Sequence, residues 1–394
     1  MAIASPVADA RAAGLSEHGL QRMRDALRRE VDAKRVPGGV ALIARGGHVG
    51  FFEAFGVHDP ATGAPMPLDA LFRIYSMTKP IVSVAVMMLA EEGRLTLIDP
   101  LSAYVPAFGG VKVAVERDGE IVDRVDPERP IALYDLLRHT SGLTYEFEEA
   151  SAVPALYERA NLAREWQTNE EHAEQLATLP LRSHPGRALN YSRSTDVLGR
   201  VVEVVAGCTL GEFLRERIFE PLGMRDTFFS VPDERQHRLA EAFANDPDTG
   251  EAVTLLNRRR SVRFESGGGG LTSTAGDYAR FCAMLRAGGT LDGRRVLARA
   301  TVDLMTSDHL GPNVVIGDAL EPGHGFGLGF SVRRARGLAS IPGSPGTYSW
   351  DGAAGTTFWV DPAHDLYAIL MIQAPGRRRY YWSLFRSLAY AALD

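Results

Sequence analysis

The stretch Phe72-Arg73-Ile74-Tyr75-Ser76-Met77-Thr78-Lys79-Pro80 and the apolar run over residues 81–90 that follows it decide much of the fold. The run is apolar nearly all round a helical projection, which predicts a helix that is buried on every side. Pro80 suits the first turn of that helix, where a missing N–H has no intrahelical acceptor. Ser76 and Lys79 are three residues apart, so their side chains would share one face and lie within reach of each other.

A serine paired with a lysine in this way predicts a nucleophilic site. A serine hydroxyl is a weak nucleophile until a base takes its proton, and a lysine can be that base only if its pKa falls from about 10.4. The chain has 43 lysines and arginines, of which only Lys34, Lys79 and Lys112 are lysine. Because arginine is effectively never deprotonated, a site that needs a neutral amine cannot use it. Only Lys79 has a serine three residues before it; the alternative is a surface lysine near a helix start.

The bulk composition is that of a globular protein without an obvious macromolecular partner. With 394 residues, 45% of them hydrophobic and 23% charged, the chain is long enough for two lobes. A formal net charge of −6 gives no support to nucleic-acid binding. The two cysteines, Cys208 and Cys282, cannot build a disulfide framework and have no companions at metal-ligand spacing. We therefore expect neither a metal nor a cofactor.

Targeting signals are not evident in the sequence. No apolar run reaches the roughly 18 residues of a membrane span, and the first residues lack the basic and apolar segments of a secretory signal. We expect a cytoplasmic protein with no membrane partner, and the sequence gives no indication of its oligomeric state.

The order of predicted elements indicates an α/β (α+β) fold. Hairpins near both ends of the chain predict one antiparallel sheet built from both termini and flanked by helices, with a mainly helical region inserted between them. This divides the chain into a sheet domain, residues 1–80 with 300–394, and a mainly helical region, residues 81–299. The predicted helices cover residues 15–35, 155–180, 194–205 and 381–393, and the two hairpins pair strands 40–45 with 49–55 and 357–360 with 366–373.

Three segments could supply an acyl-transfer site: Ser76 with Lys79, Tyr191, and the segment that starts at Trp350. In this order and at this spacing they resemble the serine β-lactamase and penicillin-recognising superfamily. The closer resemblance is to the family VIII carboxylesterases, which share the fold of class C β-lactamases. Besides these three, the segments that carry the resemblance are Leu136-Leu137-Arg138-His139-Thr140-Ser141-Gly142-Leu143, Asp196-Val197-Leu198-Gly199, Pro221-Leu222-Gly223-Met224 and the glycine-rich run over residues 324–330.

The resemblance implies a role for each of these residues. Ser76 would be the nucleophile and Lys79 its activating base. Tyr191 would protonate the leaving alkoxide and then activate the hydrolytic water, although taken alone it would be interpreted as a core tyrosine. The backbone N–H groups of Ser76 and Ala353 would form the oxyanion hole, where each donor is typically worth about 3 kcal/mol.

The departures from the family pattern concern the substrate. Class C β-lactamases carry Tyr-x-Asn, whereas the third position here is Arg193, and they carry Lys-Thr/Ser-Gly where this chain has Trp350-Asp351-Gly352. These three residues are the predicted substrate-binding segment. Trp350 offers apolar surface suited to an uncharged ester, and Asp351 would repel an anion if it faced the site. Arg193 could replace the missing lysine as a cation, which leaves weak β-lactam hydrolysis open.

The sequence thus predicts a serine carboxylesterase that hydrolyses short-chain or small carboxylic esters through an acyl-enzyme on Ser76, with a small-molecule ester as its partner. Alternatives on the same fold are a β-lactamase or D-Ala-D-Ala peptidase, and an acyltransferase. A non-catalytic binding module is less compatible with the retained Ser76, Lys79 and Tyr191. A conventional Ser-His-Asp hydrolase fits poorly because the sequence has no Gly-x-Ser-x-Gly.

Overall fold

The computed structural model describes residues 8–148, 151–317 and 320–394, and within these ranges it contains eleven α-helices and fourteen strands. The helices are α1 (Glu17–Asp32), α2 (Thr78–Glu91), α3 (Leu133–Leu137), α4 (Val153–Ala160), α5 (Asn169–Ala177), α6 (Ser194–Ala206), α7 (Leu210–Leu214), α8 (Glu220–Leu222), α9 (Ala275–Arg286), α10 (Arg299–Met305) and α11 (Arg378–Tyr390). The strands are β1 (Gly38–Arg45), β2 (His48–Asp59), β3 (Ala64–Pro65), β4 (Phe72–Arg73), β5 (Val113–Arg117), β6 (Glu120–Val125), β7 (Thr272–Ser273), β8 (Thr290–Leu291), β9 (Arg294–Arg295), β10 (His324–Phe326), β11 (Ser331–Arg333), β12 (Tyr348–Asp351), β13 (Thr357–Asp361) and β14 (Leu366–Ile372).

An eight-stranded antiparallel sheet organises the molecule. Its strand order is β10-β11-β12-β13-β14-β1-β2-β3. The two ends of the chain meet where β1 pairs with β14, with Leu42 opposite Ile369. The sequence-based prediction of one antiparallel sheet built from both termini is therefore confirmed. The predicted turn between the first two strands is also confirmed, because Gly46 and Gly47 join β1 to β2 with φ angles of +61° and +83° that favour glycine.

Helices cover both faces of this sheet, and each face has its own apolar core. Along β1 the side chains alternate: Val40 and Leu42 belong to a large core that includes α2 and α9, whereas Ala41 and Ile43 belong to a second core with α1 and α11. This alternation follows from the two-residue period of a strand, and it explains why β1 is apolar at every position from Val40 to Ala44.

Helix α2 is enclosed by the rest of the molecule, as its sequence predicts. Every side chain from Thr78 to Leu89 is buried, and the helix packs against α6. The chain that enters α2 is held by the short pair of β4 with β7 and by Tyr278, whose hydroxyl donates to the carbonyl of Met77 at 2.9 Å. The segment that carries Ser76 is therefore fixed on both sides.

The structure differs from the sequence-based expectation at the predicted helix over residues 155–180. This region forms two helices, α4 and α5. Asn161 ends α4 in the left-handed conformation at φ +47°, and Thr168 starts α5 with a capping box that includes Glu171. These local capping signals interrupt the polar-rich helical pattern.

The division into residues 1–80 with 300–394 and residues 81–299 stays a prediction. Helix α9 lies within residues 81–299 but packs against β1 and β14 of the sheet. None of the helices in the described ranges is long and apolar enough to cross a membrane.

Candidate active site

Ser76 lies in a tight turn directly before α2. The turn is a single 3₁₀ turn, Tyr75–Met77, and Tyr75 adopts a left-handed backbone conformation with φ +44°. This conformation is unfavourable for a residue with a side chain. The Tyr75 side chain is anchored at its far end, where the hydroxyl accepts a hydrogen bond from the N–H of Leu256 at 3.0 Å. The half-buried Ser76 side chain thereby opens onto a cleft.

Lys79 is buried beneath Ser76, with 1% of its surface exposed. Its Nζ lies 3.2 Å from Ser76 Oγ, 3.0 Å from Tyr145 Oη and 2.6 Å from the carbonyl oxygen of Gly268. Burial lowers the pKa of Lys79 to about 7; the carboxylate of Asp196 opposes this effect, and Arg193 adds to it. A lysine with a pKa near 7 is partly a neutral amine at pH 7, which a base for Ser76 would have to be.

Tyr191 approaches Ser76 from the other side. Its hydroxyl donates to Ser76 Oγ at 2.6 Å, and its ring centroid lies 4.6 Å from Lys79 Nζ. Burial raises the pKa of Tyr191, which keeps the phenol neutral and able to donate a proton. The structure thus brings together Ser76, Lys79 and Tyr191, which are separated by up to 115 residues in the sequence.

Three further groups surround Lys79 that the sequence analysis did not assign to the site. Tyr145 and the carbonyl of Gly268 accept hydrogen bonds from Lys79. Asp196, which is 2% exposed, accepts hydrogen bonds from Ser266 Oγ at 2.6 Å and from the N–H of Gly268 at 2.9 Å. Asp196 therefore holds the backbone segment whose carbonyl binds Lys79.

The sequence offered a signal for only part of this network. Asp196 stands in one of the segments that carry the family resemblance, five residues after Tyr191, but nothing in the pattern gives it a role. Gly268 is required by space, because a Cβ there would lie 2.6 Å from Asp196 Oδ2 and 2.9 Å from Tyr145 Oη. Tyr145 has no local signal at all, since its contact with Lys79 spans 66 residues.

Arg193 is not free to bind a substrate anion. Its Nη2 and Nε lie 2.6 and 3.2 Å from the two carboxylate oxygens of Glu146, and its Nη1 lies 3.9 Å from Asp196. With one carboxylate in a bidentate pair and a second one nearby, its charge is already compensated. The expectation that Arg193 could replace the missing lysine finds no support in this arrangement.

The predicted oxyanion hole lies where β12 ends beside the Ser76 turn. Gly352 packs directly on this turn, because a Cβ at Gly352 would lie 2.5 Å from the carbonyl oxygen of Ile74. Ala353 follows, and this exposed residue forms part of the cleft wall. Within the described residues, the N–H groups of Ser76 and Ala353 have no hydrogen-bond acceptor. Both donors are available to a ligand.

Trp350 and Asp351 point to opposite faces of the sheet. The ring of Trp350 lies 5.4 Å from that of Tyr191 and therefore lines the Ser76 side of the cleft. Since successive side chains of a strand alternate, Asp351 lies on the α11 side, where its carboxylate accepts a hydrogen bond from Thr357 Oγ1. Burial raises the pKa of Asp351 to about 6.

These groups line one open cleft of about 1760 Å³. Around Ser76 its wall is aromatic, with Tyr145, Phe147, Tyr191 and Trp350, which suits an apolar group of a substrate. In the part of the chain that the structure describes, no group of three or more His, Cys, Asp and Glu side chains is placed to hold a metal ion.

Comparison with known proteins places the chain in a family. A family model described as Beta-lactamase matches residues 23–391. Protein Rv1367c of Mycobacterium tuberculosis is 37% identical over 88% of both chains, and Esterase EstB of Burkholderia gladioli is 31% identical over 86% of both. The solved structure of EstCE1, described as a hydrolase with promiscuous acyltransferase activity, is 28% identical, covers 95% of this chain and 98% of its own, and superposes with a TM-score of 0.80. The chain, with its antiparallel sheet and its Ser-x-x-Lys turn, therefore belongs to the Beta-lactamase family.

Proposed function

We propose that this protein is a serine carboxylesterase of the family VIII type, which hydrolyses small carboxylic esters through an acyl-enzyme on Ser76. The observation that carries the proposal is the pair of hydrogen-bond contacts at Ser76 Oγ, with a lysine whose pKa is about 7 on one side and a neutral tyrosine on the other. This gives the serine both a base and an acid. The similarity to Esterase EstB supports ester hydrolysis as the reaction class.

Acylation begins with the neutral amine of Lys79. It accepts the Ser76 proton while Ser76 Oγ attacks the ester carbonyl carbon, and the carbonyl oxygen becomes an oxyanion. The backbone N–H groups of Ser76 and Ala353 donate to this oxyanion. When the C–O bond to the alcohol breaks, Tyr191 gives its proton to the leaving alkoxide and recovers a proton from the Lys79 ammonium. The acyl group is then esterified to Ser76, and the alcohol has left.

Deacylation runs the same proton path in reverse. Water attacks the acyl carbon while its proton passes through Tyr191 to the neutral Lys79. The second tetrahedral intermediate collapses, Ser76 Oγ leaves and regains the proton, and the carboxylic acid is released. Because the pKa of Tyr191 is raised, the phenolate is not the resting base, and Lys79 sets the protonation state of the site.

The surroundings of Ser76 favour a neutral group near the reacting bond. Trp350 occupies the position of the lysine that a class C β-lactamase would use to bind the substrate carboxylate, and Arg193 is paired with Glu146. No free cation therefore faces Ser76 from these two positions. We expect ester turnover to exceed β-lactam turnover.

The direct test is the Ser76→Ala variant assayed with short-chain p-nitrophenyl esters. Hydrolysis should fall to the background rate while the circular dichroism spectrum stays that of the wild type, and incubation of the wild type with a slowly turned-over ester should leave an acyl adduct on Ser76 in a peptide mass spectrum. Appreciable turnover by Ser76→Ala would refute the proposal. A higher kcat/KM for nitrocefin than for the p-nitrophenyl ester would favour a β-lactamase instead.

Acyl transfer is a second candidate, supported by the likeness to EstCE1 and by the openness of the cleft to a second molecule. An alcohol bound where water attacks would accept the acyl group from Ser76 by the same proton path. Adding primary alcohols to the esterase assay and measuring the transesterified product against the free acid would decide between hydrolysis and transfer.

A further inference from the structure

The cleft continues beyond the Ser76 site onto the α11 face of the sheet, and its wall there is polar. Ser331 of β11 and Ser349 of β12 are directly opposite each other and therefore point to the same face. That face also carries Trp359, which is opposite Ser349 and packs against α11. Arg386 of α11 lies over the Trp359 ring, 4.8 Å from its centroid. We call Arg386, Ser331 and Ser349 the Arg386 subsite.

Arg386 is a buried cation whose donors are unused. It is 6% exposed, yet within the described residues it has neither a hydrogen bond nor an ion pair, and its guanidinium lies over the Trp359 ring. The hydroxyl groups of Ser331 and Ser349 likewise have no hydrogen-bond partner among the described residues. Burying an unpaired guanidinium is costly, and a cation–π contact offsets only part of that cost.

The guanidinium is accessible from the cleft, since Arg386 forms part of its wall together with both serines. Its nitrogen atoms have no partner among the described residues, but they are not fully buried and remain in contact with solvent. A ligand in the cleft can therefore reach donors that no protein group occupies.

The charged groups around the subsite do not supply an internal partner. The carboxylates of Asp351 and Asp361 both act on Arg386 electrostatically, but within the described residues neither forms an ion pair with it. Asp351 accepts a hydrogen bond from Thr357, and Asp361 accepts one from the Tyr390 hydroxyl. Arg333 adds positive potential, while its Nε and Nη1 donate to the carbonyl groups of Ala335 and Ile341. A carboxylate is the planar acceptor that best matches the parallel N–H donors of a guanidinium, and Arg386 has no such partner among the described residues.

We propose that the Arg386 subsite binds a carboxylate at the far end of the substrate, so that the preferred esters carry a free acid group distant from the bond that is cleaved. The inference rests on the proposed ester hydrolysis at Ser76 and adds the substrate class. It also reconciles the two halves of the cleft: the aromatic half holds the neutral ester, and the polar half on the other face of β12 holds the acid group.

The test compares matched pairs of substrates. Mono-p-nitrophenyl esters of straight dicarboxylic acids with five to eight carbons are compared with p-nitrophenyl alkanoates of the same carbon number, so that each pair differs by a carboxylate in place of a methyl group. The readout is the ratio of the two kcat/KM values. In Arg386→Gln the ratio at the best chain length should fall about 10- to 100-fold from the wild-type value, as expected for loss of a charge-assisted hydrogen bond.

Two controls keep the result interpretable. Arg379→Gln removes an exposed arginine of the same helix that also lines the cleft, and it should keep the wild-type ratio. Arg386→Lys keeps the positive charge but cannot donate two parallel hydrogen bonds to one carboxylate, and it should give an intermediate ratio. Inhibition by the free dicarboxylate, relative to the monocarboxylate of equal length, should weaken in Arg386→Gln in the same proportion as the ratio.

The outcomes separate the two proposals. An unchanged ratio in Arg386→Gln, or an equal fall with Arg379→Gln, would overturn the carboxylate subsite while leaving ester hydrolysis intact. Equal losses for acidic and neutral esters in Arg386→Gln would mean a structural role only and would overturn it as well. Hydrolysis that persists in Ser76→Ala would instead overturn the proposed function.

Discussion

The replacement of Lys79 by arginine tests the mechanism most directly, because it preserves a cation and removes a base. The pKa of Lys79 is about 7, so about half of the side chains are neutral at pH 7. If the same environment lowered an arginine from about 12.5 by as much, its pKa would be about 9, and only about 1% of the side chains would be neutral at pH 7. Lys79→Arg should therefore lose about 50-fold in kcat/KM from the smaller neutral fraction alone, and the loss should reach the 10²- to 10⁴-fold range of general-base catalysis if arginine cannot act as the base at all.

The assay is kcat/KM for p-nitrophenyl butyrate from pH 5 to 9, with the melting temperature measured on the same preparations. In the wild type, kcat/KM should fall about tenfold for each pH unit below about 7, because protonated Lys79 cannot accept the Ser76 proton. Lys112→Arg is the matched control: Lys112 is exposed and pairs with Asp126 at 2.6 Å, so this variant should match the wild type. If Lys79→Arg kept more than a tenth of the activity at pH 7, or if the wild-type profile were flat from pH 5.5 to 8, the neutral-amine mechanism would be wrong.

Three further predictions follow from the geometry around Ser76. Tyr191→Phe should lower kcat about 10²- to 10⁴-fold in steady-state assays with little change in KM, because it removes a proton donor and keeps the ring; an unchanged kcat would contradict that role. Gly352→Ala should lower both activity and the urea midpoint, since the new Cβ would lie 2.2 Å from Thr356 Oγ1; wild-type values for both would contradict the packing. Finally, the native pKa of Lys79 is depressed, so between about pH 7 and 10 the unfolded state binds more protons at this position and the wild type gains stability as the pH rises. Urea titrations at several pH values should show the stability advantage of Lys79→Met over the wild type shrinking by about 1.4 kcal/mol for each pH unit in that window, and a constant difference would contradict the depressed pKa.

The central sheet was predictable because its strands carry local signals. Gly46-Gly47 marks the first hairpin turn, and the apolar strands on either side pair as expected. The two helices in place of the predicted one over residues 155–180 were less accessible, since the polar pattern continues through the break and only the caps at Asn161 and Thr168 interrupt it.

The pairing of Ser76 with Lys79 could be predicted from the sequence, because residues three apart share one face of a helical segment. In the structure the 3₁₀ turn at Ser76 leads directly into α2 and keeps that arrangement. The sequence also indicated Tyr191 and the Trp350 segment through their order and spacing. The properties on which the proposed reactivity of this pair rests depend on the tertiary structure. The pKa of Lys79 depends on burial and on Asp196 and Arg193, which come from distant segments.

The same distinction applies to the substrate. The exchange of a lysine for Trp350 is visible in the sequence, but the side of the sheet on which Asp351 lies depends on how β12 pairs with its neighbours. Nothing local distinguishes Arg386 from the chain's many other arginines. Its isolation arises from the packing of α11 on Trp359, because desolvation and the absence of a partner are properties of an assembled interior and not of a sequence pattern.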